Sequence, residues 1–361
     1  MQRRLISAGL AGALPLLAAP AVAQTAPELR WRMTSSFPKS LDLIYNTGEL
    51  FCRHVAELTD NRFTIQQFAA GEIAPALLAM DAVSNGSVDM AHTFAGYYIG
   101  KDMALQAAGS MPFLLNARQQ HAWLAHGGGN AMVDALLAPY NIRALPLGNT
   151  GNQMGGWFRR EIRSPADMVG LKMRISGIAG TVVSRLGAIP QQLGAADIYP
   201  ALERGTIDAV EFLGPYDDAR LGFNRVAPFY YFPGWGEGGA VFHAFINQAR
   251  FRDLPPAYRR ALEIAAAAAS PWMLSSYDYQ SPTALRRLVA DGAQLRSFPN
   301  EVVNAAYRAT QEVIAETSAA NPRFKSIVES QMEFGEQSLA YMQVAELPFD
   351  NTAMRLFRAR R

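Results

Sequence analysis

The chain of 361 residues contains a single cysteine, Cys52. One cysteine cannot form an intramolecular disulfide, so stability has to come from burial of apolar side chains, which a chain of this length can supply. Cys52 follows Phe51 in a segment whose apolar residues recur at helical spacing. This position predicts a buried, unreactive thiol rather than a redox or nucleophilic site.

Sequence motifs of several enzyme classes are also missing. The five histidines are scattered, and no His-Glu-x-x-His pair or cysteine partner indicates a zinc site. No Gly-x-Ser-x-Gly run offers a hydrolase nucleophile, and no Gly-x-Gly-x-x-Gly run opens a helix after a strand. The triple glycine at 127–129 lacks the spacing and the lysine of a phosphate-binding loop. The sequence therefore contains no motif that supports zinc hydrolysis, α/β-hydrolase chemistry or nucleotide binding.

Neither sign of charge is in excess. The chain has 33 basic and 31 acidic residues, and 18% of its residues are charged while 50% are hydrophobic. Arg3 and Arg4 lie in a segment that we expect to be removed, which leaves 31 residues of each sign. A balanced globular chain without basic clusters argues against nucleic acid as a partner.

The longest apolar run lies at the N-terminus and is too short and too rich in small residues for a membrane span. Arg3-Arg4 precede this run of residues 5–17, and Ala21-Val22-Ala23 forms a small-x-small cleavage site. The layout predicts a secretory signal peptide at residues 1–23, with the Sec and twin-arginine export routes both open. Because no cysteine lies near the cleavage site, we expect no lipid anchor there.

The rest of the chain alternates strands and helices with short connections, which predicts an α/β fold with mixed sheets. Two glycine-rich polar passages, at residues 148–157 and 231–239, are suited to carry the chain between two lobes around a central cleft. The predicted domains are residues 24–148 plus 238–280 for lobe 1, residues 149–237 for lobe 2, and residues 281–361 for a C-terminal helical region that could form a dimerisation arm.

An acidic residue ends a strand in the middle of the chain. Residues 207–210 are mostly apolar, Glu211 follows them, and Gly214-Pro215 ends the strand. A carboxylate at the end of a buried strand is costly unless it is paired or bound to a cation. Ligands of open α/β sheets bind at the carboxyl ends of strands. Glu211 therefore either faces a ligand cleft or lies in a solvated loop.

Other polar side chains occupy comparable positions. Arg174 lies near the end of another predicted strand, and its planar guanidinium suits a carboxylate. Gln153 and Glu237 lie in the two glycine-rich passages. If these segments meet, Arg174 would hold an organic carboxylate, while Glu211, Gln153 and Glu237 would hold Na⁺, Ca²⁺ or Mg²⁺ through hard oxygens. The alternative is a structural ion pair between Arg174 and Glu211 with no ligand.

Two pairs of adjacent residues add to this picture. Tyr97 and Tyr98 end the third predicted strand, near the same edge. Asp217-Asp218 could mimic the paired carboxylates of glycoside hydrolases, although adjacent acids more often cap helices or form turns. A secreted hydrolase that uses Asp217, Asp218 or Glu237 is therefore one alternative to a binding protein.

Four features point to a known family. They are the exported N-terminus, Met111-Pro112-Phe113, the run 164–174 that ends in Leu-Lys-Met-Arg, and the Gly-x-Ile-Asp-Ala run that ends at Ala209. Together they resemble the solute-binding subunit of tripartite ATP-independent periplasmic (TRAP) transporters over nearly the whole mature chain. The resemblance implies a two-lobed periplasmic binding protein (type II-like) with long C-terminal helices. Such a protein passes a small organic acid to TRAP membrane permease subunits and is not an enzyme.

Within this family, the runs 211–218 and 234–238 are similar to a subgroup that binds 2-oxo or 2-hydroxy monocarboxylates, such as pyruvate or lactate, with a metal ion. The resemblance implies Na⁺ or Ca²⁺, and a homodimer formed through the C-terminal helices. Phe212 stands where the subgroup has tryptophan, which bears on the substrate's chain length. A metal-free TRAP binder of a dicarboxylate or sugar acid is the remaining alternative. The implied metal ligands are Gln153, Glu211, the Phe212 backbone carbonyl and Glu237, and the implied substrate contacts are Arg174, Tyr97, Tyr98, Asn152, Gln153 and Phe212.

Overall fold

The computed structural model describes residues 27–358. The signal peptide predicted for residues 1–23 lies outside this range. The strands within it are β1 (Leu29–Ser35), β2 (Phe63–Phe68), β3 (Met90–Phe94), β4 (Ile142–Asn149), β5 (Gly156–Phe158), β6 (Lys172–Arg174), β7 (Ile189–Gln191), β8 (Ala209–Val210), β9 (Phe229–Phe232), β10 (Val241–Asn247) and β11 (Gln294–Ser297).

Helices of very different length connect these strands. Short 3-10 turns, such as Ala95–Tyr98 after β3, join several of them. Within residues 27–358, no helix combines the length and hydropathy that a membrane span requires. The α-helices are α1 (Asp42–Leu58), α2 (Ala79–Ser84), α3 (Ala104–Gly109), α4 (Ala117–His126), α5 (Gly129–Leu137), α6 (Gly177–Arg185), α7 (Ala195–Glu203), α8 (Pro215–Leu221), α9 (Gln248–Asp253), α10 (Pro256–Ala290), α11 (Asn300–Ala320), α12 (Pro322–Val344) and α13 (Glu346–Arg358).

The strands form two mixed sheets, each at the centre of one lobe. The first sheet has the order β2-β1-β3-β10-β4, with β1 parallel to β2 and β3, and β10 antiparallel to both of its neighbours. The second has the order β11-β9-β5-β8-β6-β7, with β6 parallel to β7 and β8, and β5 antiparallel to β8 and β9. The prediction of an α/β fold with mixed sheets is confirmed.

Three segments carry the chain between the sheets. The first glycine-rich passage joins β4 to β5, and the second joins β9 to β10. Helix α10 is the third: it packs against α1 and β4 of the first lobe, and its end leads to β11 in the second sheet. The predicted lobe boundary at residue 280 therefore falls inside a continuous helix. Residues 294–297, expected to be helical, instead form an edge strand of the second sheet.

Small residues let α10 lie close to the first sheet. Ala265, Ala266 and Ala269 are buried on its inner face, and Met273 packs over β4 at Gly148. A Cβ atom at residue 148 would collide with the Met273 sulfur, so glycine is required at this close approach. The packing fixes the point at which β4 ends and the first passage enters the cleft.

Candidate functional site

Two neighbouring parallel strands of the second sheet place Arg174 and Glu211 at one edge. Arg174 is the last residue of β6 and is paired with Val210 of β8, after which Glu211 follows directly. The Glu211 backbone N–H continues the ladder by donating to the Arg174 carbonyl over 2.9 Å. Parallel strands end at the same edge of a sheet, which is why the two side chains meet at the cleft.

The Arg174 guanidinium is fully enclosed, with only 1% of the residue exposed. Its Nη1 donates to the backbone carbonyl of Glu211 over 2.6 Å, and its Nε donates to the Leu193 carbonyl over 3.4 Å. The guanidinium carbon lies 4.8 Å from the centre of the Phe212 ring. Within the described residues, Arg174 forms no salt bridge with a carboxylate, so the structural ion pair with Glu211 is not what the geometry shows. The two backbone carbonyls hold the guanidinium in place.

The two glycine-rich passages bring Gln153 and Glu237 together. Gln153 Nε2 donates to Glu237 Oε2 over 2.8 Å and to Thr150 Oγ1 over 3.2 Å. Gly234 allows the passages to touch, because a Cβ atom there would collide with the Gln153 backbone carbonyl. Gln153 and Glu237 are both buried, and the Gln153 Oε1 atom has no hydrogen-bond partner in the part of the chain that the structure describes. A buried amide oxygen without a donor is costly, and it points to a group that would occupy the site.

Burial also raises the pKa of both carboxyls. The pKa of Glu211 rises to about 7, mainly through desolvation, with the Arg174 charge opposing the rise and Asp218 adding to it. The pKa of Glu237 lies well above its usual range because of burial and the nearby Glu211 carboxylate. Two carboxyls that share a buried site cannot both ionise cheaply. A cation would compensate both of them.

These donors suit a hard cation. Two carboxylates, an amide oxygen and a backbone carbonyl are the ligand types that Na⁺ and Ca²⁺ prefer over transition metals. Within residues 27–358, no group of three or more histidine, cysteine, aspartate or glutamate side chains is arranged to hold a metal ion. A cation site here would therefore also depend on neutral oxygens, such as the Gln153 amide oxygen and the Phe212 backbone carbonyl that the family resemblance implies.

A small closed pocket lies beside these groups. Its cavity volume is about 10 Å³, enough for about one water molecule. Arg174 and Glu237 supply its charged groups, and Tyr97 lies against Phe94 with 5.4 Å between ring centres. Burial raises the pKa of Tyr97 to about 12, so its hydroxyl stays protonated. The remaining lining residues are Phe37, Phe94, Ser176, Phe212, Leu213, Ala240 and Phe242.

Two predicted contacts lie elsewhere. Tyr98 points into the core of the first lobe, where its hydroxyl bonds Thr93 Oγ1 over 2.7 Å and accepts from the Met80 N–H over 3.3 Å. The reason is the 3-10 turn Ala95–Tyr98, which sends successive side chains in different directions. Asn152 is exposed at the outer side of the first passage. Neither Tyr98 nor Asn152, both predicted as substrate contacts, lines the pocket in this conformation.

The acidic pair, for which capping or turn roles were favoured over paired catalytic carboxylates, lies at the start of a helix. Asp217 and Asp218 are fully buried in the first turn of α8, and desolvation raises the pKa of each to about 7. Asp218 Oδ2 accepts from Trp157 Nε1 over 3.0 Å and from the Tyr230 hydroxyl over 2.7 Å. Neither carboxyl lines the pocket. Asp218 instead ties α8 to two strands beneath Glu211.

Sequence reasoning missed most of the aromatic wall. Phe37 follows the carboxyl end of β1, and Phe242 lies in β10, just after the second glycine-rich passage. Both positions adjoin the cleft edge of the first sheet, so the rule that ligands bind beyond strand ends could have identified them. Their apolar character made them look like ordinary core residues.

The comparisons with known proteins identify the family of the chain. Residues 34–321 match the model of the family described as DctP, bacterial extracellular solute-binding protein, family 7. A relative from Nostoc sp., named a monocarboxylate 2-oxoacid-binding periplasmic protein, is 45% identical over 327 residues, which are 91% of this chain and 90% of the relative.

Two solved structures are similar over nearly their full length. A TRAP transporter solute-binding protein from Bordetella bronchiseptica, described as a mixed-occupancy dimer with calcium and picolinate in one site, is 48% identical with a TM-score of 0.91, covering 93% of this chain and 100% of that one. A TRAP periplasmic solute-binding protein from Pseudoalteromonas atlantica with sodium and pyruvate is 34% identical with a TM-score of 0.87, covering 90% and 99%. The present chain belongs to extracellular solute-binding protein family 7, the solute-binding proteins of TRAP transporters.

Proposed function

We propose that this chain is the extracytoplasmic solute-binding subunit of a TRAP transporter and binds a 2-oxo or 2-hydroxy monocarboxylate together with Na⁺ or Ca²⁺. The carrying observation is that Arg174 and Glu237 line one pocket, while the buried groups Glu211 and Gln153 are bonded directly to them. Within residues 27–358, Arg174 forms no salt bridge and the Gln153 amide oxygen has no hydrogen-bond partner. A monocarboxylate supplies the negative charge that suits Arg174. A cation supplies the positive charge that suits Glu211 and Glu237. The ligands named for the Nostoc and Pseudoalteromonas relatives support this choice.

Each group then has a definite role. Arg174 clamps the ligand carboxylate, and its bonds to two backbone carbonyls hold the guanidinium in position for this. Gln153 Oε1, Glu211, Glu237 and the Phe212 carbonyl hold the cation, which when bound supplies a Lewis-acid contact for the ligand's 2-oxo or 2-hydroxy oxygen. Gln153 contributes oxygen without adding a third negative charge. Tyr97 closes the pocket on the side of the first lobe.

The pocket favours this function over both alternatives. Arg174 is the one basic residue among the pocket's lining residues within the described chain, so a second carboxylate of a dicarboxylate would lack a partner. Asp217 and Asp218 lie outside the pocket, and Glu237 is bonded to Gln153 beside Arg174. Closure excludes water and strengthens each charge contact, and no bond of the ligand is made or broken.

Isothermal titration calorimetry tests the proposal directly. Pyruvate should bind in the presence of calcium or sodium, and a chelator combined with a sodium-free buffer should weaken binding by at least about tenfold. Picolinate is the second ligand to titrate, because the pocket wall is aromatic and the Bordetella relative contains it with calcium. Succinate is the matched dicarboxylate control. Cation-independent binding, or preference for succinate, would contradict the proposal.

We also propose a periplasmic homodimer formed through the C-terminal helices, delivering its ligand to the TRAP membrane permease subunits. The signal peptide predicted at residues 1–23 and the family assignment support the location. Helix α13 has no buried residue, and large apolar side chains are exposed on it and on the end of α12. So many exposed apolar side chains in one region are unusual on a monomer surface. They include Leu339, Tyr341, Val344, Leu347, Phe349, Met354 and Leu356.

Analytical ultracentrifugation tests the dimer. The mature chain should sediment as a dimer, and a chain that ends at residue 345 should sediment as a monomer with unchanged pyruvate affinity. A full-length monomer at micromolar concentration would refute the dimer while leaving the ligand assignment untouched.

A further inference from the structure

Two glutamines connect the lobes on either side of Arg174. Gln192 follows β7 in the second lobe, and its Nε2 donates to the Tyr97 carbonyl of the first lobe over 2.8 Å. Gln106 lies in α3 of the first lobe, and its Oε1 accepts from the Ile178 N–H over 3.2 Å. Ile178 is in the first turn of α6 in the second lobe. Both bonds therefore cross the cleft.

The strands place these two contacts around the clamp. Strand β6 ends at Arg174 and leads into α6, while its parallel neighbour β7 leads into Gln192. The Gln106 contact thus lies just beyond one strand end, and the Gln192 contact just beyond the adjacent one. Neither glutamine lines the pocket, so neither is a ligand contact in this conformation.

Gln106 is built into its position. It is 1% exposed, and its Nε2 donates to the Ser110 carbonyl over 2.6 Å, which leaves its oxygen directed at the other lobe. Two glycines, one from each lobe, make room for that oxygen. A Cβ atom on Gly96 would come within 2.7 Å of it, and one on Gly177 would collide with it. Gly177 also has a φ of +65°, which a side chain would strain.

The receiving segment of the first lobe is rigid. Asp102 caps the start of α3 and bonds Asn321 and Arg323 at the start of α12, each over 2.6 Å. Gln331 of α12 donates to the Ala107 carbonyl over 2.8 Å. Tyr97 and Gln106 therefore lie on a firmly held segment, and a hinge opening of the lobes would break both cross-cleft bonds together.

We propose that Gln106 and Gln192 form a closure clasp, positioning residues that hold the lobes shut around Arg174 and set the ligand's dissociation rate without touching the ligand. The clasp rests on the proposed function only for the identity of that ligand. Because the ligand enters the open cleft before either bond exists, the clasp acts on dissociation and not on association. It also favours the closed state in the absence of ligand.

Stopped-flow binding of pyruvate with calcium to Gln192→Met is the first test. Loss of one hydrogen bond should raise the dissociation rate about three- to tenfold while the association rate stays within about twofold. Gln106→Met should act in the same direction, and the double variant should exceed either one. The matched control is Gln67→Met, since Gln67 Nε2 donates to the Tyr45 carbonyl over 3.0 Å entirely within the first lobe. An unchanged dissociation rate in Gln192→Met, or an equal change in the control, overturns the clasp.

A ligand-free measurement keeps this test separate from the ligand assignment. Spin labels at Leu78→Cys in the first lobe and Val169→Cys in the second report lobe separation, because both positions are exposed while Cys52 is buried. Gln192→Met should shift the distance distribution toward open lobes without any ligand. If the wild-type protein does not bind pyruvate, the proposed ligand is wrong. The shift in the distance distribution still tests the clasp in that case. Identical distributions in wild type and variant overturn the clasp even if pyruvate binds.

Discussion

Arg174→Met is expected to weaken pyruvate binding by about a hundredfold to several thousandfold, equivalent to roughly 3–5 kcal/mol. The substitution removes the one guanidinium that lines the pocket within residues 27–358 and leaves the ligand carboxylate buried without a counter-charge. Methionine keeps much of the volume against the Phe212 ring, so the loss reports charge and hydrogen bonding more than packing. Calorimetry at fixed calcium measures it.

The affinity of Arg174→Met for the cation should change in the opposite direction. Removing a positive charge beside Glu211 and Glu237 removes repulsion, so calcium affinity without pyruvate should be retained or increased. Arg159→Met is the matched control, because Arg159 Nη1 also donates to a backbone carbonyl, that of Leu202, on the outside of the second lobe. Pyruvate affinity of Arg174→Met equal to that of the control would refute the clamp. A parallel loss of calcium binding would indicate a collapsed site instead.

Glu237→Gln is expected to reduce calcium affinity by about a hundredfold or more while raising the stability of the cation-free protein. Removing a carboxylate from a cation's own ligands should cost at least as much as the ten- to hundredfold typical of outer partners. Glutamine keeps an oxygen that can accept from Gln153 Nε2, but it carries no charge that must be desolvated. Calcium titration and thermal unfolding of the cation-free protein measure the two effects.

The pH dependence of this stability follows from the raised pKa of Glu237. Between its unfolded pKa of 4.5 and its raised folded pKa, this carboxyl holds a proton in the folded protein that the unfolded chain releases. Its contribution to the free energy of unfolding is therefore complete below pH 4.5 and is lost as pH rises through the folded pKa. The stability gained by Glu237→Gln should therefore grow as pH rises from 4.5 toward the folded pKa, by up to about 1.4 kcal/mol per pH unit. Calcium should remove the difference, because the cation competes with protons. A gain that is flat in pH would show that Glu237 ionises normally.

The sequence was sufficient for the polar centre of the site. Arg174 and Glu211 follow from strand ends, since parallel neighbours must end at one edge. Gln153 and Glu237 follow from glycine-rich passages that have to connect two lobes. Each of these residues was marked by a polar side chain in an apolar context, which is a signal that a single sequence carries.

Other features carried no such signal. Tyr98 could not be separated from Tyr97, because the 3-10 turn that directs them apart is set by packing against Phe245 and Thr93. The burial of Asp218 could not be predicted, because its partners, Trp157 and Tyr230, lie far along the chain. Strand β11 has four residues between two helices and is only partly buried, so its pairing with β9 was decided by the tertiary fold.

The insertion of β10 between β3 and β4 has a consequence for biosynthesis. Until residue 247 has been made, the first sheet lacks an inner strand, and both β3 and β4 present unpaired edges. The second sheet remains incomplete until residue 297. A nascent chain therefore cannot finish either lobe early. Most of the polypeptide has to leave the ribosome before a closed tertiary structure can form, so the chain remains largely unfolded for nearly its whole synthesis.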